Sequence, residues 1–336
     1  MLFELPTFEY VDAKDMAEAA FCLHRYGEKA KVIAGATDLL SRMKDRIEGP
    51  GLKIPEVLVN IKKIPGMTEI TYDKQRGLRI GAAVTLNGLA TSDLVRQRFN
   101  LLVQAALQVG TTQLRNMGTI GGNVCQRPRC LYFRHPHFVC FKKGGTKCYA
   151  AAGEHRYYHA IMKTGKCVTA HPSDMAPVLI ALKARAAIAG AEGERVVPFE
   201  EFFAGSNSLE ETILKPDEFL VAVEVPDQHD KASQLFLKER IRHAADFALS
   251  SVAVVAQMSD GVCEEIRVVL GGIAPVPFVA GALAGLMNGR ALDERLISEA
   301  AEASVREARP LPMNGYKVDL TRALVKRALT LMRNGS

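Results

Sequence analysis

The chain has no apolar run near the roughly 20 residues that a membrane-spanning helix needs. Its amino terminus, Met-Leu-Phe-Glu-Leu-Pro, lacks the basic region and long apolar core of a secretory signal. These two absences argue against a helical membrane protein and make the cytoplasm the expected compartment. The common nucleotide signatures are missing as well, with neither a Gly-x-Gly-x-x-Gly turn nor the Gly-Lys-Ser/Thr of a P-loop. So is the pair of short Cys-x2-4-Cys knuckles typical of structural zinc. No internal repeat, low-complexity segment or coiled coil is present. Acid is nearly absent from one stretch: between Cys125 and Cys167, Glu154 stands alone against nine Lys or Arg. The whole chain is only +6, so the remainder is slightly acidic.

The 336 residues are long enough for two or three domains, and 48% hydrophobic with 24% charged is an ordinary globular balance. Five of seven cysteines fall between Cys125 and Cys167. In a chain too large to need disulfide staples, clustered thiols point to metal or redox chemistry. Cys22 and Cys263 stand apart and read as core.

Apolar spacing predicts a helix over Asp12–Tyr26, a strand over Lys31–Gly35 and a helix from Ala36, so Ala34 to Asp38 form a tight turn. Its backbone N–H groups, at the positive end of a helix, suit a pyrophosphate. Strands are predicted at Val57–Ile61 and Leu78–Ala83, and Thr85 is placed to cap a helix through Leu94. A helix follows at Leu101–Val109, then one over Asp174–Lys183 capped by Ser173, with strands at Ala184–Ala189 and Glu218–Val225. The polar stretch Asp227–Ser233 is the expected domain boundary. Beyond it, strands at Leu235–Arg242, Ala248–Met258 and Glu264–Leu270, then a helical tail from Phe278, predict an α+β domain with helices on one face of a three-stranded sheet.

Gly110 to Asn123 is dense in glycine, hydroxyls and amides, a composition that lets backbone amides and polar side chains close on phosphate and ribitol oxygens. The cysteines that follow, Cys130-x9-Cys140-x7-Cys148-x18-Cys167, could hold zinc or an iron–sulfur cube, and spacing does not choose. The basic, aromatic surroundings (Tyr132, Phe133, Phe138, Tyr149, Tyr157) suit single-stranded nucleic acid. A zinc-stabilised basic nucleic-acid-binding module is therefore an alternative reading. His135, His137, His155 and His159 read as solvated loop histidines, and Arg240–Asp246 as a charged run between strands.

Val32-Ile-Ala-Gly-Ala-Thr-Asp-Leu-Leu40, Gln113-Leu-Arg-Asn-Met-Gly-Thr-Ile-Gly-Gly-Asn123 and His171-Pro-Ser-Asp-Met175 resemble, in order and spacing, the FAD-binding medium subunit of the molybdenum hydroxylases, the xanthine dehydrogenase and carbon monoxide dehydrogenase family. The resemblance implies a two-part FAD-binding domain of the vanillyl-alcohol-oxidase kind over 1–226, with subdomains of about 1–60 and 61–226, and a C-terminal domain over 227–336. It implies that Val32, Ile33, Ala34, Gly35, Ala36, Thr37, Asp38 and Leu39 form the flavin turn, with the diphosphate on Ala34 to Leu39. Thr111, Gln113, Arg115, Asn116, Thr119, Gly122, Asn123 and Cys125 would line the second loop, and Asp174, Leu220 and Lys238 would add further contacts.

The cysteine insertion, about 125–167, resembles that of the 4-hydroxybenzoyl-CoA reductase subunit and of some bacterial aldehyde oxidoreductase subunits, which hold a [4Fe-4S] cluster. Cys130, Cys140, Cys148 and Cys167 are the implied ligands. The implied partners are a molybdenum-cofactor large subunit and a small [2Fe-2S] subunit in a dimer of heterotrimers, with ferredoxin or a similar external carrier and neither nucleic acid nor membrane. No residue here stands out as acid, base or nucleophile for an organic substrate, whose chemistry would belong to the molybdenum subunit.

Overall fold

The computed structural model describes residues 4–228, 232–259 and 261–334. The opening Met-Leu-Phe and His229 to Lys231, within the expected 227–233 boundary, lie outside the described residues. Three sheets organise the rest.

The first is small and parallel, in the order β1 (Glu9–Asp12), β3 (Val57–Asn60), β2 (Ala30–Ile33). Helices α1 (Met16–Tyr26) and α2 (Leu39–Lys44) lie in the crossovers. The predicted first helix begins at Met16 and not Asp12, because the Asp15 carboxylate accepts the Glu18 N–H at 2.8 Å and caps it. Residues 9–12 are then free to pair with β3.

The second sheet is antiparallel, in the order β4 (Ile70–Asp73), β5 (Gly77–Gly81), β8 (Phe219–Val225), β6 (Arg185–Gly190), β7 (Gly193–Pro198). Between β5 and β6 run α3 (Leu86–Thr91), α4 (Asp93–Arg98), α5 (Asn100–Gln108), α6 (Thr112–Met117), α7 (Ile120–Val124) and α8 (Met175–Ala181). Thr85 caps α3 as expected, but the helix stops at Thr91. Ser92 is extended, and its hydroxyl accepts the Val95 N–H to start α4. The Ser173 hydroxyl accepts the Ala176 N–H at 3.0 Å at the start of α8.

The third sheet pairs β9 (Ala232–Glu239), β10 (Ser250–Ser259) and β11 (Val262–Gly271), widened by two-residue strands β12 (Phe278–Val279) and β13 (Arg290–Ala291) beside β11. Helices α9 (Gly281–Met287), α10 (Glu294–Ser304) and α11 (Tyr316–Arg333) follow. Successive strand residues point to opposite faces, and along β10 this divides the chain between two cores. Val252, Val254 and Ala256 join the core of the C-terminal helices, while Ala253 joins the core built on the first two sheets. The expected one-sided sheet is thus buried on both faces, its second cover coming from the amino-terminal part. Among the described residues no helix is long and apolar enough to cross a membrane.

Candidate functional site

A cleft of about 460 Å³ opens between the first and second sheets. Its floor is the turn from β2 into α2. Gly35 is required there by close approach: a Cβ would lie 2.2 Å from the Met117 carbonyl oxygen and 2.9 Å from the Gly118 Cα. The two loops singled out in the sequence therefore meet at Gly35. Ala36, next in the chain, takes a left-handed φ of 62°, strained for a residue with a side chain. On the facing loop the Thr119 hydroxyl accepts the Gly122 N–H at 3.1 Å and starts α7.

The cleft brings together Val32, Ile33, Ala34, Gly35, Ala36, Thr37, Asp38, Leu39, Thr119, Gly122, Cys125 and Leu220. The other expected contacts lie elsewhere. Gln113 and Asn116 are exposed on α6, outside the cleft lining. Thr111 accepts the Leu114 N–H as the cap of α6, and Arg115 donates to the Val109 carbonyl and the Thr112 hydroxyl. Asn123 is buried and accepts the Ser173 hydroxyl at 2.5 Å, tying α7 to α8. Asp174 and Lys238 form a buried ion pair of 2.6 Å, with Lys238 also donating to the carbonyls of Gln108 and Asp246. Thr111, Arg115, Asn123, Asp174 and Lys238 brace the loops from behind, because their polar atoms find partners inside the chain before reaching the cleft.

Sequence reasoning missed the cleft's cations, Lys31, Arg42, Lys53, Arg127 and Lys215. Arg42 carried a readable signal, lying one helical turn after Asp38, with which it pairs at 3.3 Å. Because α2 has only six residues, little of the expected helix-end field is available, and these side chains supply the positive charge.

Beside the cleft, Cys130, Cys140, Cys148 and Cys167 line one small cavity of about 10 Å³. Each sulfur faces backbone N–H, mostly from residues just after it: Tyr132 and Phe133 for Cys130, Lys142 and Lys143 for Cys140, Val168 with Ala150 and Ala151 for Cys148, Thr169 for Cys167. Such turns form cradles for negative sulfur. Burial pushes the Cys130 thiol up to about 11 and raises that of Cys140. The Cys167 thiol donates to Cys148, which brings Cys148 down to about 6 and raises Cys167. Cys125 faces the cleft, not the cage, and burial pushes it up to about 12. Among the described residues, no three His, Cys, Asp or Glu side chains converge as a site for a metal ion.

The basic excess of the cysteine segment is largely engaged within the chain. Arg129 and Arg134 both bind Asp38, at 2.7 and 2.6 Å. Arg127 binds Glu210 and Glu211, Lys142 binds Glu211, and Arg156 binds Glu154. Lys143 is fully buried and donates to the His135 carbonyl at 2.6 Å. Two of the four expected solvated histidines are also buried: His155 and His159 are each 3% exposed. His155 Nε2 accepts the Met313 N–H at 3.0 Å, so its proton is on Nδ1 and donates to the Ala150 carbonyl. The charged run 240–246 touches the second loop, the Ala245 N–H donating to the Gly110 carbonyl and Arg240 to that of Gln108.

Residues 6–228 match the family described as the FAD-binding domain in molybdopterin dehydrogenase, and residues 236–332 match the carbon monoxide dehydrogenase flavoprotein C-terminal domain. The aldehyde oxidoreductase FAD-binding subunit PaoB of Escherichia coli is 36% identical over 82% of this chain and 84% of its own. The carbon monoxide dehydrogenase medium chain of Hydrogenophaga pseudoflava is 28% identical over 96% of each. A solved structure of carbon monoxide dehydrogenase from that organism superposes with a TM-score of 0.78 at 27% identity, covering 98% of this chain and 99% of the other. With both halves matched in order, the chain belongs to the FAD-binding oxidoreductase subunits of the molybdenum hydroxylase family.

Proposed function

We propose that this chain is the electron-transfer subunit of a molybdenum hydroxylase complex, holding FAD in the cleft and a [4Fe-4S] cluster on Cys130, Cys140, Cys148 and Cys167. FAD, when bound, supplies interconversion between two-electron and one-electron transfer. The turn Ala34 to Leu39 would hold its diphosphate, with Thr119 and Gly122 closing from the other loop and Arg42 and Lys31 balancing its charge. Asn123, Asp174 and Lys238 would act from behind by fixing those loops.

The observation that carries the cluster is the cage itself: four thiols around one cavity, each faced by backbone N–H groups that favour a thiolate. A cluster would replace the Cys148–Cys167 hydrogen bond with bonds from iron to both sulfurs. Zinc fits less well, since its four ligands must converge at about 2.3 Å on one ion and no such group exists among the described residues. The nucleic-acid alternative is weakened because five of the segment's nine cations form ion pairs inside the chain.

The proposed partners are a molybdenum-bearing large subunit, on which the organic substrate reacts, and a small [2Fe-2S] subunit, together forming a dimer of heterotrimers. Ferredoxin or a like carrier would exchange electrons with the cluster, in the cytoplasm. The proposed domains are 1–226 for flavin, with the insertion at about 125–167, and 227–336. An ultraviolet–visible spectrum with iron, acid-labile sulfide, zinc and flavin analysis of anaerobically purified chain tests this. About four irons, four sulfides and one FAD are expected; zinc without iron would remove the cluster, and absence of flavin would remove the cleft assignment.

A further inference from the structure

Asp38 stands where the two sites meet. It lines the cleft, yet its carboxylate faces away from an anionic ligand's needs and toward three guanidiniums. Its Oδ1 accepts from Arg129 at 2.7 Å and Arg134 at 2.6 Å, both from the cysteine segment, and its Oδ2 accepts the Arg127 N–H at 3.1 Å and pairs with Arg42 at 3.3 Å. Arg134 also donates to the carbonyls of Pro128 and Arg127, and its own N–H donates to the Cys130 carbonyl. Its guanidinium lies over the ring of Phe133, whose N–H faces Cys130. Arg129 holds Gln126, which donates to the Asn123 carbonyl on α7. An unbroken set of bonds thus runs from the cleft floor to the first cysteine of the cage.

The charge balance gives this arrangement a consequence. Three arginines around one carboxylate leave two positive charges without a partner in the cluster, and they lie between two sites, each proposed to take an anion. Holding those guanidiniums in place before an anion arrives is costly, because buried like charges repel. An anion at either site offsets that cost and fixes the geometry the other requires.

We propose that Asp38, with Arg129 and Arg134, is a coupling bridge that makes flavin and cluster binding cooperative, an inference that rests on the cluster reading above. Neither Arg129 nor Arg134 lines the cleft, so any effect they have on flavin passes through the cleft residues they hold: Asp38, Gln126 and Arg127. The test uses the full chain, deflavinated and titrated with FAD by fluorescence quenching, with iron retained or stripped by chelator. Loss of iron is expected to weaken FAD binding roughly fivefold or more, and loss of FAD to quicken iron release under chelator, as reciprocity of coupled sites requires. The double variant Arg129→Gln/Arg134→Gln is expected to bind FAD with an affinity that no longer depends on iron.

Equal FAD affinity of the unaltered chain with and without iron would overturn the coupling, and needs no variant to fold. An iron dependence that persists undiminished in the double variant would overturn the assignment to this bridge. Absence of iron and sulfide from the unaltered protein would sink the cluster and the coupling together, whereas bound iron to which flavin is indifferent would sink the coupling alone.

Discussion

Gly35 and Ala36 sit side by side on the cleft floor and respond to substitution with opposite signs. Ala36 holds φ 62°, where a Cβ costs on the order of 1 kcal/mol. Ala36→Gly relieves that cost, partly offset by the greater freedom of glycine in the unfolded chain, and is expected to stabilise by a few tenths to about 1 kcal/mol. A urea midpoint that falls would refute it. Gly35→Ala adds a Cβ 2.2 Å from the Met117 oxygen, and backbone has nowhere to retreat. It is expected to push the two loops that meet there apart, costing about 1–3 kcal/mol and, on the proposed cleft assignment, most of the FAD occupancy. Full flavin content in that variant would mean the loops do not need to meet there.

At the level of elements, the cage and the last helix depend on one another. Lys317 at the start of α11 is fully buried and donates to the carbonyls of Tyr157 (3.1 Å), His159 (2.9 Å) and Gly272 (2.6 Å). Lys317→Met removes every one of those donors and is expected to destabilise by about 2 kcal/mol or more, read as a lowered Tm. Within the cage, Cys148→Ser is expected to lose most iron and to bind FAD only as weakly as the iron-stripped chain does, its cleft contacts intact because Cys148 lies outside the cleft lining; full iron content would exclude it as a ligand. The strands and the tail helix were legible because their apolar period is local. So was the tight turn at Ala34 to Asp38, whose small residues and glycine mark a close approach of backbone. The Asp38 bridge was not, since a carboxylate and a guanidinium 96 residues apart leave no pattern in the chain. Likewise a histidine in a polar, basic stretch reads as exposed, and only the fold buries His155 and His159. Ser92-Asp93 did carry a cap signal that would have divided the helix.

For the whole molecule, acid is the informative stress. Burial, reinforced by the charge of Lys317, brings His159 down to about 4, and burial with Lys142 nearby brings His171 down to about 3, against an ordinary 6.5. The unfolded chain therefore takes up protons that the folded one refuses, and stability falls as pH drops from about 6.5 toward 4. Burial alone would raise the Asp38 carboxyl, but the arginines outweigh it and hold it at about 2, so its stabilisation is lost only below about pH 4. A Tm unchanged between pH 7.5 and 5 would contradict the histidine assignment. The segment that carries the thiols is held at its exit by residues more than 150 positions later in the chain: Met313 on His155, Asn314 on the carbonyls of His159 and Ala160, Tyr316 on that of Arg156, and Lys317 on that of Tyr157. During synthesis on a ribosome the cysteines emerge long before these anchors do. The loop is pinned at this end only once residues 313–317 are present, so the proposed cluster would be held firmly only after they have folded onto it, and a truncation before residue 311 is expected to loosen the segment there while its ion pairs to Asp38, Glu210 and Glu211 remain.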